Sequence, residues 1–185
     1  MKGTDLPTKS LIVQRLRELA GPLGPFTSME ERDAEQAQWH RALTPADAAV
    51  LVDLLYEPVA AADRGPALDW MFTMEIQDAL AAIGRRDPPW FCALVGRAFA
   101  QRGANESLIA VLGEVGGDAA VELLVELSGR TTLSKDEQMA LIGALGTLGG
   151  ERARARLLGL REQLGPDGDP ELLRDLDLAL GEDGP

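Results

Sequence analysis

The chain of 185 residues has a single cysteine, Cys92, a single histidine, His40, and few aromatics, at 4% of residues. A disulfide within the chain is therefore impossible, and a metal site built from several cysteines or histidines is excluded. Cys92 sits in the apolar run Trp90–Val95, which reads as a buried structural thiol rather than a reactive one. His40 has no Gly-x-Ser-x-Gly segment or neighbouring nucleophile to work with, so no catalytic residue is assigned. Long apolar runs are also missing. No stretch reaches the ~18 residues of a membrane span, and MKGTDLPTKS lacks the apolar centre of a secretion signal. A cytoplasmic protein is the expectation. The scarcity of aromatics beside abundant Ala, Leu and Gly favours helices packed through small residues over a sheet.

Charge is present in excess of one sign. The formal net charge is −12. It is spread along the chain, with 14 acids and 9 bases in residues 1–92 against 16 and 9 in residues 93–185. Such a surface repels phosphate backbones, which disfavours direct nucleic-acid binding; the charge reads mainly as serving solubility, and a basic protein partner is allowed.

Helix signals begin at the N-terminus. Leu11, Ile12, Val13, Leu16 and Leu19 fall at helical spacing between Thr4 and Ala20, and GPLGP closes that segment. Ser28 and Glu31 form a Ser-x-x-Glu capping signature before a polar stretch that carries Trp39 and His40. Thr44-Pro45-Ala46-Asp47 is a stronger start, with Thr as N-cap and Pro in the first turn. That helix is predicted to run to about Tyr56, burying Val50, Leu51, Leu54 and Leu55. Pro58 interrupts it, and residues 57–66 read as a loop.

A repeat follows. Ile76-x-x-x-Leu80-x-x-Ile83-Gly84 is echoed 32 residues later by Leu108-x-x-x-Leu112-x-x-Val115-Gly116, and after 33 more by Leu141-x-x-x-Leu145-x-x-Leu148-Gly149. A second amphipathic helix is predicted after each glycine, near Asp87, Asp118 and Glu151. A shorter unit runs from Asp169 to Gly181. Helix pairs recurring at this period describe a stack. The phrases Leu112-Gly113-x-Val115-Gly116-x-Asp118 and Leu145-Gly146-x-Leu148-Gly149-x-Glu151 resemble HEAT-like repeats of the short bacterial kind. The resemblance covers about Pro66 to Leu180. It implies an all-α fold, a right-handed α-solenoid of stacked antiparallel helix pairs, with the helices of residues 1–65 packed on the repeats of residues 66–185 in one continuous domain. The arginine such repeats usually carry five residues before the Ala-Leu-Gly phrase is replaced here by Glu106 and Met139.

The glycines of GALGTLGG, residues 143–150, raise the possibility of a phosphate loop, but they follow and interrupt a helical pattern where a strand is needed, and no lysine or Ser/Thr follows Gly150; Glu151 does. Gly113 and Gly146 are read as sites of close helix approach, Gly116 and Gly149 as positive-φ helix ends, and Asp118 as an N-cap. Asp167-Gly168-Asp169-Pro170-Glu171 starts like a calcium loop, yet the twelfth position is Leu178, so a turn and helix cap is the reading. Arg152, Arg154, Arg156 and Arg161 form the one basic cluster, with Arg152 and Arg156 on one helical face and Arg154 and Arg161 on another. They read as a solvated face with local ion pairs, the alternative being contact with a small anion or an acidic partner.

No cofactor and no metal is assigned. The aromatic group Trp70, Phe72, Trp90, Phe91 and Phe99 is read mainly as core, with Trp70, Met71, Met74 and Trp90 as the candidates for partner binding. The resemblance and the lack of a catalytic constellation lead to a non-enzymatic interaction module with an acidic surface, binding a protein through the concave face. The alternatives are a small-molecule or chromophore enzyme of the bilin-lyase kind, to be marked by a deep apolar pocket with convergent acids, and a HEAT-like DNA glycosylase, which the charge disfavours.

Overall fold

The computed structural model describes residues 8–21, 25–57, 59–60, 69–130 and 132–181. Ten α-helices and no strand occur among these residues: α1 (Thr8–Ala20), α2 (Met29–Ala42), α3 (Pro45–Tyr56), α4 (Asp69–Gly84), α5 (Pro88–Arg102), α6 (Glu106–Val115), α7 (Asp118–Arg130), α8 (Lys135–Leu148), α9 (Gly150–Leu164) and α10 (Pro170–Leu180). The fold is all-α. The predicted helix start at Thr4, part of GPLGP, the interruption at Pro58, most of the 57–66 loop and the expected start of the repeats at Pro66 lie outside the described residues. The chain divides into two compact units, residues 1–83 and 84–185.

In the first unit the predicted caps form, with one shift. Ser28 accepts from the Glu31 N–H as N-cap of α2, but the Glu31 carboxylate reaches back to the Thr27 N–H (2.7 Å) and hydroxyl (2.5 Å) instead of Ser28. These two donors hold the Glu31 carboxyl below its ordinary range. At α3 the Asp47 carboxylate accepts from the N–H and hydroxyl of Thr44, with Pro45 in the first turn. Helix α1 packs on α3, burying Ile12, Leu16 and Leu19, while Leu11 stays 49% exposed. The buried face of α3 is Ala48, Leu51, Val52 and Leu54. Val50 and Leu55, expected inside, are only half-buried, because a 12-residue helix this apolar can turn more than one stripe inward. Helix α4 buries Phe72, Ile76, Ala79, Leu80 and Ile83.

In the second unit the contacts order the helices in two rows. Helix α6 packs on α8 and α8 on α10, while α5 packs on α7 and α7 on α9. The first row is set by the glycines. A Cβ added to Gly113 would lie 2.9 Å from the Cα of Ala144, and one added to Gly146 would lie 2.9 Å from the Cβ of Ala179. The two glycines are 33 residues apart and their alanine partners 35 apart, so the same kind of joint is used twice. Gly116 and Gly149 end α6 and α8 with φ of +80° and +64°, as the sequence predicts. Asp118 is not an N-cap. Gly117, at φ +84°, turns the chain so that Asp118 becomes the first helical residue, where its charge still favours the helix N-terminus. Asp87 does cap α5, accepting from the Trp90 N–H.

The core of this unit contains Phe91, Leu108, Ile109, Leu112, Leu124, Leu141, Leu145 and Leu157, each nearly or wholly excluded from solvent. Two substitutions separate a packing glycine from a dispensable one. Gly113→Ala forces α6 away from α8 and is expected to cost on the order of 1–3 kcal/mol. Gly143→Ala adds a Cβ that meets nothing within 4 Å and is expected to stabilise by up to about 1 kcal/mol through helix propensity. Denaturant unfolding checks both, and equal effects would contradict the packing role of Gly113.

Candidate functional site

The partner-binding candidates fall on two helices. Trp70, Met71 and Met74 belong to α4, and Trp90 to the first turn of α5 in the second unit. Trp70 is 59% exposed and Met74 50% exposed. They are four residues apart, hence neighbours on one helical face. Asp78, also exposed, continues that face by another turn. Met71 and Trp90 are half-buried. The other aromatics of the group, Phe72, Phe91 and Phe99, are buried. Trp70 is thus the aromatic of the group that faces water.

One residue beyond Met74 lies Glu75, which the sequence alone does not single out. It is 4% exposed and one of two buried polar residues among those described, with Ser107. Its carboxylate accepts from Arg32 (2.6 Å) and from the Gln36 amide (2.7 Å), both on α2. Arg32 and Gln36 are one turn apart, so a single face of α2 clamps both carboxylate oxygens. Burial pushes the Glu75 carboxyl above its ordinary 4.5, Arg32 and Gln36 pull it back, and Asp78 adds to the rise. A second tie, Arg15 to Glu35 at 2.6 Å, joins α1 to α2. Separation in sequence hides the clamp. Arg32 and Glu75 are 43 positions apart and in isolation each reads as a surface charge.

The basic cluster is consumed internally. Arg152 pairs with Glu122 (2.7 Å), and Arg156 donates to the hydroxyl and the carbonyl of Ser128 (2.5 and 2.7 Å), so that face ties α9 to α7. Arg154 donates to the Leu180 carbonyl (2.8 Å) and Arg161 pairs with Asp177 (3.0 Å), so the other face ties α9 to α10. Two of these arginines bind carbonyls in the last turns of neighbouring helices, where cations are favoured.

The calcium-like segment is a helix cap. Asp169 accepts from the N–H groups of Glu171 and Leu172 at the start of α10. Lys135 pairs with Asp169 (2.9 Å) and Glu171 (2.5 Å), taking the place a cation would need. The pairing raises Lys135 and lowers Asp169 from their ordinary values. Among the described residues no group of three or more His, Cys, Asp or Glu side chains is placed to hold a metal ion.

Three clefts bear on small-molecule binding. A hollow of about 250 Å³ between α7, α8 and α9 has an apolar floor of Leu133, Leu141 and Ile142 and an uncharged rim that includes Ser128, Gln138 and Gln163. A wider one of about 850 Å³ lies along α1 and the end of α3, mixing Lys9 and Arg17 with Glu18 and Glu57. A third, about 200 Å³, lies between α1 and the end of α2, beside Trp39 and Leu43. None of these three joins an apolar floor to convergent acids. No helix among the described residues is long and apolar enough to cross a membrane. Comparison of the chain with family models, with curated proteins and with solved structures returned no match.

Two expectations follow for titratable groups. Because the folded carboxyl of Glu75 takes up its proton above 4.5, the folded state binds more protons than the unfolded one between 4.5 and the raised value, and stability falls as pH rises through that window. Carbon-detected NMR of the Glu75 carboxyl is expected to give a midpoint above 4.5, which moves further up in Arg32→Met. A midpoint at or below the ordinary value would contradict the burial. Cys92 is buried, and burial pushes its thiol up to about 11. Thiol reagents at mildly alkaline pH are expected to leave it unmodified until denaturant is added, and rapid native labelling would contradict its structural reading.

Proposed function

We propose that this protein is a non-enzymatic protein-interaction module whose second unit is a HEAT-like stack of antiparallel helix pairs and whose docking face is the Trp70–Met74–Asp78 stripe of α4. The observation that carries this reading is the exposure of Trp70 and Met74, at 59% and 50%, one turn apart on one helix. Tryptophan supplies large contact area at small entropic cost and is the residue type most enriched among binding hot spots. Methionine beside it adapts to an irregular partner surface. In a chain with three tryptophans and 4% aromatics, water-exposed tryptophan costs solubility and is best explained by something that covers it.

Charge selects the partner. Asp69 and Asp78 flank the apolar pair on α4, and the chain as a whole carries −12. A surface with an apolar side chain set among lysines or arginines is complementary to that stripe, and steering by the net charge would speed the encounter. Duplex DNA and RNA are poor candidates for the same electrostatic reason. The use of all four arginines of the 152–161 cluster within the chain agrees with this, since they are engaged by neighbouring helices.

The test is affinity capture with crosslinking, followed by binding measurements on the purified pair. Wild-type protein is expected to hold a basic partner. Trp70→Ala is expected to weaken that complex by about tenfold or more, with Met74→Ala in the same direction and the melting temperature unchanged in both. A complex that forms with undiminished affinity in Trp70→Ala would remove the stripe from the reading.

A further inference from the structure

Helix α2 is unlike every other helix of its unit. No side chain on it is buried, although α1, α3 and α4 each bury three or more apolar residues. Its largest apolar side chain, Trp39, is only half-buried and packs against the neighbouring His40 ring on its own helix, with centroids 5.4 Å apart. At its end lies a hollow of about 200 Å³, lined by Leu11, Ile12, Trp39, Ala42, Leu43 and Asp47. The polar ties that α2 makes include Glu35 to Arg15, and Arg32 with Gln36 to the Glu75 carboxylate.

A helix held this way is poised to leave. Apolar burial is what makes helix docking in water persistent, and α2 contributes little of it. The clamp adds little net stability as well, because taking Glu75 and part of Arg32 out of water offsets most of their attraction. If α2 departs, both groups regain hydration and neither is left buried alone. The joint is therefore specific in geometry but shallow in free energy. It fixes where α2 lies without fixing that it stays.

The position of the joint gives opening a consequence. Glu75 adjoins Met74 in sequence and lies one turn from Met71 on α4. We propose that α2 is a displaceable strap: it lifts from α4 while the other helices of residues 8–83 stay folded, uncovering the Glu75 carboxylate beside the Trp70–Met74 stripe. The occupant that replaces α2 is a partner helix presenting arginine with an amide side chain one turn on, the pattern Arg32 and Gln36 now supply. Strap opening stands on the geometry of α2 alone, and only the identity of the replacement rests on the docking function proposed above.

Hydrogen–deuterium exchange of the full chain without any partner tests the opening, so that its outcome is independent of whether a partner is ever found. In wild-type protein the amides of residues 29–42 are expected to exchange well ahead of those in α3 and α4, through local opening. In Glu75→Gln, which removes the charge but keeps the shape, exchange in residues 29–42 is expected to rise by about tenfold, with α3 and α4 unchanged. Gln36→Ala, a milder break of the same clamp, covers the case in which Glu75→Gln disturbs folding. Conversely, Arg32→Leu/Gln36→Leu/Glu75→Leu replaces the polar joint with an apolar one and is expected to slow α2 toward the rate of α3. The strap is refuted if α2 exchanges in step with α3 and α4 in wild type, or if neither clamp variant speeds it selectively.

Discussion

The second unit depends on how closely α6, α8 and α10 approach one another, and that distance is set by two glycines. At Gly113 and Gly146 the missing Cβ is the only space available, with Ala144 and Ala179 filling it from the facing helix. A glycine inside a helix costs about 1 kcal/mol of helix propensity. The cost is offset only if the closer contact lets leucines such as Leu112 and Leu145 reach full burial on either side, since dispersion and area burial both grow steeply as gaps close. With α6, α8 and α10 held in a row, the chain enters α7 through Gly116 and Gly117 and enters α9 through Gly149 and Gly150, all at positive φ. The repeated joint is what makes this half of the chain a row of helices in register.

Charge then finishes what the glycines begin. The arginines of α9 divide by helical face, two reaching α7 and two reaching α10. Ion pairs this exposed contribute a kcal/mol or less each. Their carbonyl contacts do something more definite, because the last carbonyls of a helix have no partner within it. Arg156 supplies a donor to Ser128 near the end of α7, and Arg154 supplies one to Leu180 at the end of α10.

What was legible in the sequence followed local rules. Helix starts at Ser28, Thr44 and Asp87, helix ends at Gly116 and Gly149, and the two-faced arrangement of the arginines depend on residues within one or two turns of each other. The split between packing and capping glycines was legible because the 33-residue echo showed which positions recur. Errors arose where a local rule has two solutions. Asp118 can be an N-cap or a first-turn acid, and Gly117 at positive φ decided for the latter. Glu31 could reach Ser28 or Thr27, and the Thr27 hydroxyl offered a second donor. The apolar stripe of α3 was misjudged by about a residue because nearly every position on it is hydrophobic. At the candidate site the stripe of Trp70 and Met74 was legible from composition, since rare residues clustered there. The Glu75 clamp was not, because its three members are brought together by tertiary structure and none forms a motif alone.

One helix of the first unit is held by a different means from the helices of the second. In residues 84–181 helices meet through small residues and leucines, with little room for one helix to move without opening a cavity, and cavities in such cores cost several kcal/mol. In residues 8–83 one helix is attached through a carboxylate, a guanidinium and an amide, whose exchange with water is nearly neutral in free energy. Elements that move in binding are drawn from the weakly held parts of a structure. The exposed tryptophan, the buried carboxylate and the helix without a buried face all lie in the same unit, within reach of α4. On the docking reading proposed above, the polar clamp would serve the face that Trp70 and Met74 present.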